Sequence, residues 1–490
     1  MSEVVSYGRR LSQMAAMRPD QADLTIVDRE GHETRVAWRV LESRANQIAR
    51  ALEGHGASTG SIIALALPTC LDHILVTMAT WKIGATLLPL RHDLPQWEMD
   101  RLVGAAEPLV LISDNHSATF TVLRRSDLDA TTSLPDDAVE DRIPQTLYLG
   151  ASSGSTGLPK LIAAPFPGVV AIDPDAVSYA QTSAILVVSP LYHVNGFLFC
   201  APQLMEGTKV AVMEKFEAKL AVELIERLQI SMTIMVPTML QRIVQLPDLD
   251  KASFRSLERV VIGGAKTPDW VIDRWLELVP GRALNFIYGS TERIGSVNMN
   301  GDQWREHRGA AGRGSDCEVS IRDAEGNVVP NGEIGEVFVR PLDPNRPLFR
   351  YLGAPMPPMT TDGFLSIGDL GWLDDDGYLY IADRRTDMII TGGANVFPAE
   401  VEAALSEHPA VADQVVVPVA DPEWGHRVHA IIAPVDPGSP PSAEELREFC
   451  KSRLASYKVP KSFDFVAAVP RTEAGKLNRT ALGKSVDGNA

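Results

Sequence analysis

The chain has 490 residues, enough for more than one domain, and 45% of them are hydrophobic, ample for a sizeable buried core. Its 46 Lys and Arg stand against 63 Asp and Glu, a formal net charge of -17 that disfavours nucleic acid and anionic membrane as partners. Four widely spaced cysteines without a C-x-x-C pair argue against a zinc site or a disulfide framework, the first residues lack the apolar core of a signal peptide, and no apolar run is long enough to be a transmembrane segment, so a soluble, cytoplasmic protein is expected.

Apolar residues from Val36 to Leu52 recur at helical spacing, and Gly54, Gly56 and Gly60 end that helix. Ser61–Leu67 reads as a buried strand, Ile74–Gly84 as a helix, Ala85–Leu90 and Leu109–Ile112 as further strands, an alternation that predicts a parallel α/β sheet. Residues 113–145 are polar and lack periodicity, so surface structure is expected there. They lead to a strand over Leu147–Leu149 and then to Ser152-Ser-Gly-Ser-Thr-Gly-Leu-Pro-Lys160. Gly154 and Gly157 allow close approach of backbone to an anion, Ser152, Ser153, Ser155 and Thr156 bring hydroxyls, and Lys160 a positive charge. The glycine spacing differs from a Walker loop, and composition alone fits a solvated linker as well as a phosphate cradle.

Ala184–Val188 is a buried strand with His193 at its exit, where a structural histidine is the commoner case. Helix and strand alternate again through Lys219–Leu228, Met232–Val236, Pro237–Val244, Arg259–Ile262 and a helix carrying Trp270 and Trp275. Ala283–Ile287 leads to Tyr288-Gly-Ser-Thr-Glu292, which alone would read as a tight turn with a surface Glu. Residues 319–339 carry hairpin signals at Asp323–Gly326 and Pro330–Gly332. Residues 341–363 are rich in Pro and Gly, and Phe364–Asp369 with Gly377–Arg384 form another β pair. Beyond Arg384 the strand over Met388–Ile390, a helix from Pro398, the strand Val415–Val419 and a capping box at Ser442–Glu445 describe a small α+β module.

Taken together, Ser152–Lys160, Pro190-Leu-Tyr-His193, Tyr288–Glu292, Ile367-Gly-Asp369, Asp383-Arg384, Gly392-Gly-Ala-Asn395 and Gly475-Lys476 follow the order and approximate spacing of the adenylate-forming enzymes. The chain resembles the superfamily of acyl-CoA synthetases, firefly luciferase and peptide-synthetase adenylation domains, most closely its acyl-CoA ligases, over nearly its whole length. The resemblance implies an α/β fold: a large N-terminal domain over 1–384, of mixed and parallel sheets flanked by helices with a small β subdomain, and a small mobile α+β domain over 385–490. It also implies ATP, Mg2+ and coenzyme A. A carboxylate attacks the α-phosphate of ATP to give acyl-adenylate, and the CoA thiol then displaces AMP.

By the same resemblance the triphosphate is held by Ser152, Ser153, Gly154, Ser155, Thr156, Gly157 and Lys160, and Mg2+ by Glu292 and Thr156. Gly264, Ala265, Tyr288 and Gly289 form the adenine slot, and Ser290 and Thr291 approach the α-phosphate. Asp369 and Arg384 take the ribose hydroxyls. Lys476 bridges carboxylate and α-phosphate, and with Glu292, Thr291 and His193, a pocket residue rather than a base, completes the catalytic set. Rotation of the C-terminal domain brings Gly392, Gly393 and the basic run Lys451, Arg453, Lys458 and Lys461 to CoA. The acid pocket is expected from His193–Phe199, Met232–Leu240 and Gly295–Met299, whose apolar character suits a hydrophobic acid. A bulky steroid or terpenoid type comes first because Gly154–Ile162 resembles ligases of the bile-acid type.

Thr386 stands at the hinge where Lys or Asp is usual, Ile367 replaces Thr, and Ala394 and Lys266 also depart from the family pattern, Lys266 at the border of the pocket. A carrier-protein phosphopantetheine is the alternative acceptor, a non-catalytic adenylate-binding module the alternative class, and a homodimer the assembly held open.

Overall fold

The computed structural model describes residues 3–152, 160–163, 165–172, 183–357, 359–384, 387–391, 394–471, 477 and 479–487. A nine-stranded sheet organises the first half of the molecule. Its order is Arg313–Gly314, Ser296–Asn300, Leu284–Gly289, Arg259–Ile262, Met232–Met235, Ala184–Val187, Lys209–Met213, Leu24–Val27 and Glu33–Val36. From Leu284–Gly289 across to Leu24–Val27 the strands run parallel, and antiparallel pairs close both edges.

These strands are apolar at nearly every position because both faces are covered. Ile185 and Val187 pack on one side, against the helices Tyr7–Met17, Trp38–Gly54 and Leu71–Lys82. Ala184, Leu186 and Val188 pack on the other, against Ala218–Arg227, Pro237–Val244 and Asp269–Leu278. The first helix layer also covers a parallel sheet of Thr86–Pro89, Ile62–Ala66, Val110–Ser113 and Thr121–Leu123. The far face of that sheet meets the helix Gln96–Ala106 and the strands Leu149–Ser152 and Lys160–Ala163.

Two segments differ from the sequence expectation. Within 113–145 the chain forms the strand Thr121–Leu123 and the short helix Arg125–Ala130, too brief to show a period. Within the Pro- and Gly-rich 341–363, Arg350–Leu352 adds as an antiparallel strand to Lys160–Ala163. The four-stranded antiparallel sheet of Cys317–Arg322, Gly335–Pro341, Leu365–Leu373 and Leu379–Arg384 forms the small β unit.

After Arg384 the strands Ile389–Thr391, Ala394–Val396, Val411–Asp421, Gly425–Pro434 and Ser462–Phe465 build a separate sheet with cores of its own on both faces. Ser442 caps the helix Ala443–Lys451 by accepting from Glu445 N at 3.1 Å. All four cysteines are buried and unpaired, and no helix among the described residues is long and apolar enough to cross a membrane.

Candidate active site

Parallel strands deliver their C-terminal ends to one edge of a sheet, and loops there line a common crevice. Here that edge collects His193 beyond Ala184–Val187, Val236 beyond Met232–Met235, Gly264 and Ala265 beyond Arg259–Ile262, and Tyr288–Glu292 at the end of Leu284–Gly289. Gly264 has φ +94, a backbone state that disfavours any side chain, and a Cβ there would sit 3.4 Å from Val236 Cγ1.

The next strand pairs Gly289 with Ser296, so Ser290–Gly295 is a hairpin loop. Arg293 N donates to Ser290 O at 3.0 Å, and Arg293 takes φ +53, a left-handed state that costs a non-glycine residue about 1 kcal/mol or more. The loop is clamped from outside. Arg346 donates to Arg293 O at 3.1 Å and to Asp316 at 2.6 Å, and Asp316 accepts from Ser296 N at 2.7 Å. Burial raises the Asp316 carboxyl, but Arg346 and Ser296 outweigh it and hold the group below its ordinary range.

Tyr288 donates its phenol to Asp369 at 2.6 Å, and Asp369 lies directly across the β pair from Arg384. The tyrosine expected at adenine therefore meets a residue expected at the ribose, 81 residues further along the chain. Glu292 accepts from the Tyr351 hydroxyl at 2.8 Å, and Lys160 Nζ lies 5.0 Å from the centre of the Tyr351 ring. Burial, and after it the Glu292 carboxylate, raises the Tyr351 phenol above its ordinary range, so the hydroxyl keeps its proton. Ser290 Oγ is buried with no hydrogen-bond partner among the described residues, an orphan hydroxyl beside the metal-site candidate. The strand feeding the Ser/Gly loop touches the same hairpin: a Cβ on Gly150 would lie 2.8 Å from Thr291 Cγ2.

Ser153, Gly154, Ser155, Thr156, Gly157, Thr386, Gly392, Gly393 and Lys476 lie outside the described residues, as do the side chains of Ser152 and Arg384. The segment after Lys476 is anchored. Arg479 pairs with both oxygens of Glu402 and reaches Asp387 at 3.3 Å. Asp383, next to the expected hinge, accepts from Ala399 N at 3.0 Å.

Other expectations change. Lys458 is committed to Glu400, with Nζ 2.6 and 2.7 Å from its oxygens, while Lys451 pairs with Glu448 and Arg453 with Glu407. A charge so neutralised offers little to a phosphate. Lys266 is exposed, and its charge offsets part of the burial that raises the Asp269 carboxyl. Of the expected pocket segments, Phe197, Met235, Met239, Leu240 and Met299 are absorbed into the core, leaving His193, Asn195, Ser296 and Asn298 among the partly exposed members. His193 precedes the helix Val194–Leu198, its ring 4.6 Å from that of Tyr192. Sequence reasoning missed Tyr351, Asp316 and Arg346. Alternating Phe349 and Tyr351 was the one local sign of a strand.

The model for AMP-binding enzymes matches residues 11–341, and that for the AMP-binding enzyme C-terminal domain matches 400–476. The chain belongs to the AMP-binding enzyme family. This AMP-binding enzyme is 30% identical to a fatty acid–[acyl-carrier-protein] ligase, ScoC, of Streptomyces coeruleorubidus, with 91% of each chain covered. It is 31% identical to a feruloyl-CoA synthase of an Amycolatopsis species, covering 91% of this chain and 92% of that one. Among solved structures it is similar to the o-succinylbenzoate CoA synthetase MenE of Bacillus subtilis bound to its acyl-adenylate, at 26% identity, TM-score 0.79 and 98% coverage of both chains. This AMP-binding enzyme is an AMP-forming acid–thiol ligase that uses ATP and Mg2+.

Proposed function

We propose that this enzyme activates a hydrophobic carboxylic acid, a bulky steroid- or terpenoid-type acid being the first candidate, and transfers the acyl group from AMP to the thiol of coenzyme A. The observation that carries the reading is the gathering of Tyr288–Asp369 and Lys160–Tyr351–Glu292 around one hairpin: a ring and a carboxylate for a nucleoside, an ammonium and a carboxylate for a triphosphate with its metal. The donor set suits Mg2+, since Glu292 offers a hard oxygen ligand and the orphan Ser290 hydroxyl stands two residues away.

In this reading Tyr288 stacks on adenine, Asp369 and Arg384 orient the ribose, and Lys160 with residues 152–157 grips the phosphates. Mg2+, held by Glu292 with Thr156, supplies neutralisation of the triphosphate charge. Lys476 stabilises the charge developing between the attacking carboxylate and the α-phosphate. The domain at 385–490 then rotates about the Arg384–Thr386 hinge to admit the thiol. Hydrogen bonds from Gln241 Nε2 to Ala412 O at 3.0 Å and from Trp270 Nε1 to Ser406 Oγ at 3.2 Å would break in that rotation. CoA as acceptor draws support from Trp424, 41% exposed with Lys461 Nζ 3.6 Å over its ring. Such a face suits an adenine and its phosphates.

A carrier-protein thiol is the second reading, favoured by the similarity to the ligase named for an acyl-carrier protein. Acid-dependent pyrophosphate release, trapped with hydroxylamine across a panel of steroid, terpenoid, fatty and aromatic acids with and without CoA, decides between them. Release followed by CoA thioester supports the proposal, and release without thioester supports the carrier. No release with any acid would leave an adenylate-binding module.

A further inference from the structure

We infer that Tyr351 is a positioning residue, one phenol that seats both the phosphate-grip ammonium of Lys160 and the metal-site carboxylate of Glu292. The inference rests on the adenylation reading of those two groups and adds a residue that no motif in the sequence singled out.

The geometry follows from strand order. Lys160 begins the strand Lys160–Ala163, and Arg350–Leu352 lies beside it in antiparallel register, Tyr351 opposite Ile162. From there Tyr351 reaches across to the hairpin loop and donates to Glu292 Oε1 at 2.8 Å, while its ring lies under the ammonium, 5.0 Å from Nζ. An ammonium and a carboxylate left to themselves would pair and cancel, and each would then have to be pulled apart before taking a phosphate or a cation. A neutral phenol avoids that. It engages the ammonium through the negative face of its ring and the carboxylate through its hydroxyl, so both charges stay directed without neutralising each other.

The test measures binding of α,β-methylene-ATP, whose bridging carbon blocks adenylation, in EDTA and in saturating Mg2+. Its readout is the ratio of the two dissociation constants, with melting temperatures recorded for each variant. Tyr351→Phe keeps the ring and removes the donor, so metal enhancement should fall roughly tenfold to a hundredfold, as for loss of a hydrogen bond to a charged group, while binding in EDTA stays within about twofold. Tyr351→Leu removes the ring as well and should also weaken binding in EDTA, because Lys160 loses its seat. Glu292→Gln is the control and should remove most of the enhancement. Enhancement lost in Glu292→Gln but intact in Tyr351→Phe overturns the role of Tyr351 and leaves the proposed function standing. So does an equal loss with and without metal in Tyr351→Phe. Enhancement unchanged in Glu292→Gln, or none in the wild type, overturns the metal-site reading on which both depend.

Discussion

Glu292 sits in the turn from Ser290 to Arg293, whose last residue is held in a left-handed conformation, and it is tied to a phenol 59 residues away. A carboxylate so fixed meets a cation with little reorganisation, which is the physical content of preorganisation. Glu292→Gln keeps the shape and a hydrogen-bond acceptor but loses the charge, so the Mg2+ concentration for half-maximal adenylation should rise severalfold. An unchanged metal titration would remove Glu292 from the metal site. The identity of Glu292 was readable because it closes a motif of contiguous residues. Its partner was not, since Tyr351 sits in a three-residue strand, the single alternation of Phe349 and Tyr351 is too short to establish a period, and the pairing exists only across strands. The same distance explains Lys458: a basic run reads as a phosphate patch until Glu400, 58 residues earlier, is brought against it.

At the scale of elements, the strand Leu149–Ser152 and the hairpin beyond Leu284–Gly289 touch where Gly150 faces Thr291. A methyl at Gly150 would stand 2.8 Å from Thr291 Cγ2, so Gly150→Ala should displace Thr291 and cost about 1–3 kcal/mol in stability together with adenylation rate. Adding Thr291→Ser removes the opposing methyl and keeps the hydroxyl, and should restore both; thermal melting and pyrophosphate exchange measure the pair. A second element-level expectation concerns His73, fully buried in the helix Leu71–Lys82, with Nδ1 3.3 Å from Leu67 O. Burial pulls its imidazole from 6.5 to about 4, so the unfolded chain takes up a proton between those values that the folded chain refuses. Stability from this group is therefore complete above about pH 6.5 and falls as pH drops towards 4, by about 2 kcal/mol between pH 7.5 and 5. Urea midpoints at the two pH values, compared with those of His73→Gln, isolate the term; equal pH dependence in the variant would exclude His73 as its source.

For the whole molecule, a large sheet unit holds the proposed nucleotide site, and a smaller one with its own cores holds the residues that flank the proposed catalytic lysine. Arg479 locks that segment to Glu402 and Asp387, so Lys476 should travel with the smaller domain as a unit. Lys476→Ala is expected to slow adenylation at least ~10²-fold, as for loss of a charge acting in the transition state, while thioester formation from supplied acyl-adenylate stays largely intact. Equal loss in the two half-reactions would exclude a rotation that withdraws the lysine. The sequence by itself determined the alternation of helix and strand, because the buried strands are apolar on both faces and the helices on one. It also determined the family, because the motifs are contiguous and keep their order. Only the tertiary structure decided which distant groups meet: Tyr351 with Glu292, Tyr288 with Asp369, Lys458 with Glu400, and which apolar residues of the expected acid pocket are spent in the core. The reason is that periodicity and motif spacing are properties of neighbours along the chain, whereas strand register and sheet order bring side chains together without leaving a local trace.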